Sequence, residues 1–131
     1  MLTLYIGNKN YSSWSMRPWV LLKQAGIPFA ERKVRFDAFA GDSEFKKSIL
    51  QVNPAGRVPA LVDDGFCVWD SLAIAEYAHE KFPEAGVWPR DAQARARARS
   101  VCAEMHSSFA GLRGSMPMNI SASLRGQGRK G

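Results

Sequence analysis

The sequence predicts an α/β domain with the order β-α-β-α-β-β-α, followed by one long helix. Three observations carry this. Short strand-like runs at 2–6, 30–36, 58–62 and 66–69 are separated by helical patterns or tight turns. Asp64-Gly65 is a strong two-residue hairpin signal between the last two strands. Ala98, Val101, Cys102, Met105, Phe109 and Leu112 recur at helical spacing and predict a buried stripe on a helix over 91–113.

Each element has a local reason. The first strand is rich in β-branched and aromatic residues, and 7–13 is a polar loop. A helix follows over 15–25. Proline is tolerated only in the first turn, so Pro18 forbids a start much before Trp14 or Ser15. Gly26 ends it as the C′ residue, with Pro28 beyond. Asp42 or Ser43 caps a short helix reaching Leu50. Asp70-Ser71 opens a helix over 71–81 with Ile74, Tyr77 and Ala78 on one face. Two βα units imply parallel pairing, and the hairpin adds an antiparallel edge.

Composition narrows the function classes. Of the 131 residues, 46% are hydrophobic and 23% charged, as in a soluble globular protein. No apolar run is long enough to span a membrane, and the N-terminus lacks a signal-peptide pattern, so the expected location is the cytosol. Cys67 and Cys102 are far apart and match neither a C-x-x-C pair nor a zinc ligand set, so both are expected as small buried hydrophobes and no metal is expected.

The net charge of +6 lies wholly in residues 90–131, since 1–89 hold ten basic and ten acidic residues. This suits a nucleic-acid surface or, with no aromatics among the tail charges, a solvated basic helix and tail; the second is the expectation, so no nucleic acid is expected as partner. Arg95, Arg97 and Arg99 are expected on or near the wet side of the long helix, and His79 at the surface.

Three segments can carry chemistry. The first is Tyr11-Ser12-Ser13-Trp14-Ser15-Met16-Arg17-Pro18. A hydroxyl just upstream of a helix N-terminus can donate to an anion held there, such as a thiolate. Lowering a thiol pKa from about 8.5 to about 6.5 requires about 2.7 kcal/mol. A hydrogen bond to a charged group supplies about 1.5–3 kcal/mol, and the helix end about 0.3–1 more. The same serines could instead only cap the helix.

The second segment is Asn53-Pro54-Ala55-Gly56-Arg57-Val58-Pro59-Ala60-Leu61. If Val58–Pro59 is cis, the backbone N–H and C=O of Val58 face a cleft and can pair with a peptide; an ordinary edge-strand proline is the alternative. The third is Val68-Trp69-Asp70-Ser71-Leu72-Ala73-Ile74. Ser71 at a helix start suits a carboxylate and Asp70 an ammonium, unless the pair is a plain N-cap. Together the three describe a peptide ligand with a thiol, a central amide and an α-amino-acid terminus.

The motif N-P-x-G-R/K-V-P-x-L followed by D/E-S-x-A-I, here Asn53 to Leu61 and Asp70 to Ile74, resembles the cytosolic glutathione transferase family. Ser13 to Arg17 resembles its serine-type classes, and Tyr11-Ser12-Ser13 looks closest to zeta-like bacterial members. The resemblance covers about residues 2–119, including Ala103-Glu104-Met105-His106-Ser107-Ser108-Phe109 on the first helix of the family's second domain. Trp14 stands where zeta enzymes usually carry Cys, and Asp70 where Glu is usual.

The resemblance implies a thioredoxin-like βαβαββα domain over 1–82, a linker over 83–90, the first helix of a truncated all-α domain over 91–119, and a disordered tail over 120–131. It implies transfer of glutathione, as co-substrate, to a small electrophile. Ser13 would activate the thiol, with Ser12 its competitor. Val58, beside Pro59, would bind the cysteinyl backbone, Asp70 and Ser71 the γ-glutamyl end, and Arg57 the glycyl carboxylate. Met105, His106 and Phe109 would face the electrophile, against helix packing for Met105 and Phe109 and solvent exposure for His106. The full-length form would be a homodimer. A non-catalytic binding module of the same fold is the alternative. A thiol–disulfide oxidoreductase is disfavoured, because serines stand where its cysteine is needed.

Overall fold

The computed structural model describes residues 1–7, 12–34, 58–108 and 118. Four strands form one sheet in the order β2-β1-β3-β4. β1 (Leu2–Ile6) pairs in parallel with β2 (Ala30–Lys33) and antiparallel with β3 (Ala60–Asp63), which pairs antiparallel with β4 (Phe66–Trp69). The helices among the described residues are α1 (Ser13–Gln24), α2 (Ser71–Lys81) and α3 (Ala92–Ser107), with a 3-10 turn at Pro83–Ala85. The helix expected over 43–50 lies outside the described residues, as do the chain beyond Val34 in the second strand and the tail.

One face of β1, Leu2, Leu4 and Ile6, packs with Leu61 of β3, Leu22 of α1, and Ile74 and Ala78 of α2. Both helices therefore cover the same side of the sheet. That places the start of α1, just after β1, near the start of α2, just after β4.

The turns follow sequence chemistry. Asp64 and Gly65 both take positive φ, 46° and 88°, as a two-residue hairpin with the strands' right-handed twist requires. At the end of α1, Gly26 takes φ 71°; its N–H donates to Lys23 and that of Ile27 to Leu22, closing a Schellman motif. α1 begins at Ser13, earlier than expected, so Pro18 falls in the second turn. The helix continues because Pro18 is buried against its surroundings, at the cost of the donor the Trp14 carbonyl would have received.

Several expectations are corrected or refined. No residue of α3 is buried: Val101 is 57% and Met105 47% exposed, while Ala98 and Cys102 are half-buried. The apolar stripe lacks cover because α2 is the element packed against α3. Arg99 is half-exposed and also paired: its guanidinium donates twice to Glu76 of α2, at 2.8 and 3.0 Å, and stacks over Trp88. Arg95 folds back onto the carbonyls of Pro89 and Arg90. His79 is half-buried, with its Nδ1 enclosed and lacking a hydrogen-bond partner. Both cysteines are free and only half-buried, and burial pushes the Cys67 thiol pKa up.

Candidate functional site

The start of α1 separates its serines by role. Ser12 is the N-cap: its Oγ accepts from the Ser15 N–H at 3.3 Å and donates to Ser15 Oγ at 2.8 Å. Ser15 is buried, and its Oγ also accepts from the Gly7 N–H at 3.0 Å, which fastens the end of β1 to the first turn of α1. The Ser13 side chain is exposed and makes no hydrogen bond to another described residue. Ser12 is therefore engaged by the helix it caps, while Ser13 is exposed. The sequence reading missed Ser15; its place one turn behind the polar loop was the signal.

Val58–Pro59 is cis, as the peptide-binding reading requires. Val58 is half-buried and Pro59 buried, directly before β3. Arg57 and Phe109 lie outside the described residues.

At the start of α2, Asp70 is the N-cap: Oδ2 accepts from the Leu72 N–H at 3.2 Å. Asp70 also sits at φ 79° and ψ 133°, a conformation that costs a non-glycine residue about 1–3 kcal/mol. Ser71 is buried beside it. The cap uses Oδ2, so Oδ1 is not part of it.

α3 brings His106 onto this pair. Its Nε2 lies 3.0 Å from Asp70 Oδ1, and its Nδ1 lies 3.4 Å from Ser71 Oγ. Trp14 packs against the imidazole edge-to-face at 4.8 Å, and the Arg17 guanidinium stands 4.1 Å above the Trp14 ring. His106 is thus half-buried between the start of α1 and the start of α2, rather than facing solvent. One imidazole touches Asp70, Ser71 and Trp14, the neighbour of Ser13, so both helix starts meet at one place.

Met105 faces a groove that adjoins Ser71. With Arg17, Pro18, Leu72, Val101 and other residues it lines a largely apolar groove of about 470 Å³ between α1, α2 and α3, which His106 does not line. Ser71, which His106 contacts, also lines this groove, so Met105 and His106 lie at adjoining places.

A second polar cluster is structural. Asp63, buried at the end of β3, accepts hydrogen bonds from Tyr77 and Lys81 of α2. The Lys81 ammonium and then the Tyr77 hydroxyl hold the Asp63 carboxyl below the usual carboxylate range. Asp63 in turn raises the pKa of both partners. The cluster ties α2 to the hairpin that carries Asp70.

The comparisons with known proteins agree with this arrangement. The family profile described as "Glutathione S-transferase, N-terminal domain" matches residues 11–81. Glutathione S-transferase 1 of Dianthus caryophyllus is 37% identical over 95 residues, covering 72% of this chain and 41% of that protein. Maleylacetoacetate isomerase of Pseudomonas aeruginosa is 32% identical over 120 residues, covering 91% of this chain and 55% of that protein. Among solved structures, a glutathione transferase homologue from Burkholderia gl BGR1 with bound glutathione superposes with TM-score 0.69 at 34% identity, covering 86% of this chain and 57% of that one. The chain thus spans about half the length, or less, of these curated relatives. With a thioredoxin-like mixed sheet and a family match over more than half of its residues, the chain belongs to the glutathione S-transferase N-terminal domain family.

Proposed function

We propose that this chain is the glutathione-binding part of a serine-type glutathione transferase. The reading rests on one observation: the exposed Ser13 at the start of α1 and the Asp70–Ser71 pair at the start of α2 converge, bridged by His106 and Trp14. Such a cleft accommodates an extended peptide with its thiol at one helix start and its α-amino-acid end at the other. Val58 lies directly before β3, within the chain segment that would meet the cysteinyl backbone. Asp70 pairs with the ligand ammonium, and Ser71 donates to its carboxylate.

In the reaction, the thiol of bound glutathione loses its proton to solvent. Ser13 Oγ–H donates to the resulting thiolate, assisted by the partial positive charge of α1. The sulfur attacks an electrophilic carbon; the carbon–sulfur bond forms as the bond to the leaving group breaks. The thiolate fraction at pH 7 rises from about 3% to about 75% for a pKa drop from about 8.5 to about 6.5. The apolar groove beside Met105 suits the electrophile. The zeta-like bacterial resemblance around Tyr11-Ser12-Ser13 fits the similarity to maleylacetoacetate isomerase, and a cytoplasmic homodimer suits the whole protein.

The exposure of Val101 and Met105 on the groove wall favours a second reading, a glutathione-binding or protein-interaction module without turnover. Calorimetric titration with glutathione, together with a conjugation assay on an aryl halide, separates the two. The expected result is binding by the chain, weakened in Ser71→Ala, with conjugation reduced in Ser13→Ala. Binding without conjugation, here and in a longer form, supports the module. Absence of binding overturns the transferase and the glutathione-binding module and leaves only a protein-interaction module.

A further inference from the structure

The groups assigned to the α-amino-acid end of glutathione are already engaged. Asp70 Oδ1 is 3.0 Å from His106 Nε2, Asp70 Oδ2 accepts from the Leu72 N–H, and Ser71 Oγ is 3.4 Å from His106 Nδ1. One neutral tautomer satisfies both His106 contacts: Nε2–H donates to Asp70 while Nδ1 accepts from the Ser71 hydroxyl. The imidazole therefore makes toward Asp70 the contact that a ligand ammonium would make, and it takes from Ser71 the hydrogen that a ligand carboxylate would take.

We propose that His106 is a built-in gate of this subsite: it occupies Asp70 and Ser71 in the ligand-free chain and must leave them when an α-amino acid enters. The proposal rests on the glutathione reading above. The carrier of His106 is suited to moving. His106 lies one residue from the end of α3, and the chain turns extended at Ser108, with φ −125° and ψ −167°. No residue of α3 is buried, and a half-exposed Glu76–Arg99 pair ties it to α2; weak burial marks elements that open at low free-energy cost. Departure of His106 also removes its contact with Trp14, which neighbours Ser13.

Two measurements test this. The first is calorimetry of the full chain and of His106→Ala with two probes, glutathione and its analogue lacking both the α-amino and the α-carboxyl group, which needs neither Asp70 nor Ser71. Removing the gate is expected to tighten glutathione about three- to fivefold, the worth of a half-exposed hydrogen bond to a carboxylate, and to leave the analogue within about twofold. The second records the imidazole 15N resonances of His106 in the ligand-free chain. They are expected to move in Asp70→Asn and to stay in place in Glu104→Gln. Glutathione bound equally or more weakly by His106→Ala, or both probes shifted alike, overturns the gate and leaves the functional reading standing. Resonances indifferent to Asp70→Asn also overturn it. If neither chain binds glutathione while the resonances respond to Asp70→Asn, the functional reading fails, and the gate with it.

Discussion

The Ser12 hydroxyl donates to Ser15 Oγ at 2.8 Å, and this short link engages one of two adjacent serines while the other stays exposed. Ser12 is held by the helix it caps, whereas Ser13 projects outward from the first turn. Their substitutions should separate cleanly. Ser12→Ala is expected to destabilise the chain by about 1 kcal/mol, as loss of a cap does. Ser13→Ala is expected to leave stability within about 0.5 kcal/mol, since it is exposed and unbonded. It should instead raise the pKa of bound glutathione by about 1–2 units through loss of a hydrogen bond to a charged sulfur. Urea unfolding and ultraviolet thiolate absorbance read the two effects. The reverse pattern would move the thiol role to Ser12.

Ser15 is expected to be the costlier serine to lose. Ser15→Ala removes the buried acceptor of the Gly7 N–H and the partner of Ser12. An unsatisfied buried donor costs about 1–3 kcal/mol, so the urea midpoint should fall further than in Ser12→Ala. A midpoint equal to that of the unsubstituted chain would mean that water or another group replaces the hydroxyl.

The Asp63 cluster predicts how stability varies with pH. The Asp63 pKa is depressed in the fold, first by Lys81 and then by Tyr77. Its contribution is therefore present above the unfolded carboxylate value of about 3.9 and lost as pH falls through the folded value. The pKa values of Lys81 and Tyr77 are raised by Asp63. Their contributions are present below the unfolded values of about 10 and vanish as pH rises through the folded ones. Asp63→Asn should lower stability at neutral pH and flatten the profile at both ends. Unfolding midpoints measured across pH check this, and a profile that keeps its shape would argue against the cluster.

Gly26 tests backbone conformation without packing. A Cβ built there meets nothing within 4 Å, so only φ 71° opposes a side chain. Gly26→Ala is expected to cost about 1–2 kcal/mol by forcing a left-handed alanine. Thermal unfolding reads the loss; an unchanged midpoint would mean that the end of α1 rearranges.

Local chemistry made much of the fold legible. The strands 2–6 and 66–69 and the helix 71–81 were readable with their observed limits, because alternation, Asp64-Gly65 and the Asp70-Ser71 cap are properties of neighbouring residues. The fate of α3 was not readable in this way. Helical spacing named the right stripe, but periodicity records which residues could be buried, not whether anything covers them.

The sequence by itself determined the element types, the turns and which short segments could bind a peptide, since each depends on interactions within a few residues. Only the tertiary structure decided that Arg99 seeks Glu76 and that His106 rests on Asp70 and Ser71. His106 and Ser71 are 35 residues apart in the chain. Such a contact follows from stacking two helices on one sheet face and laying a third across their ends, a geometry that no local pattern encodes.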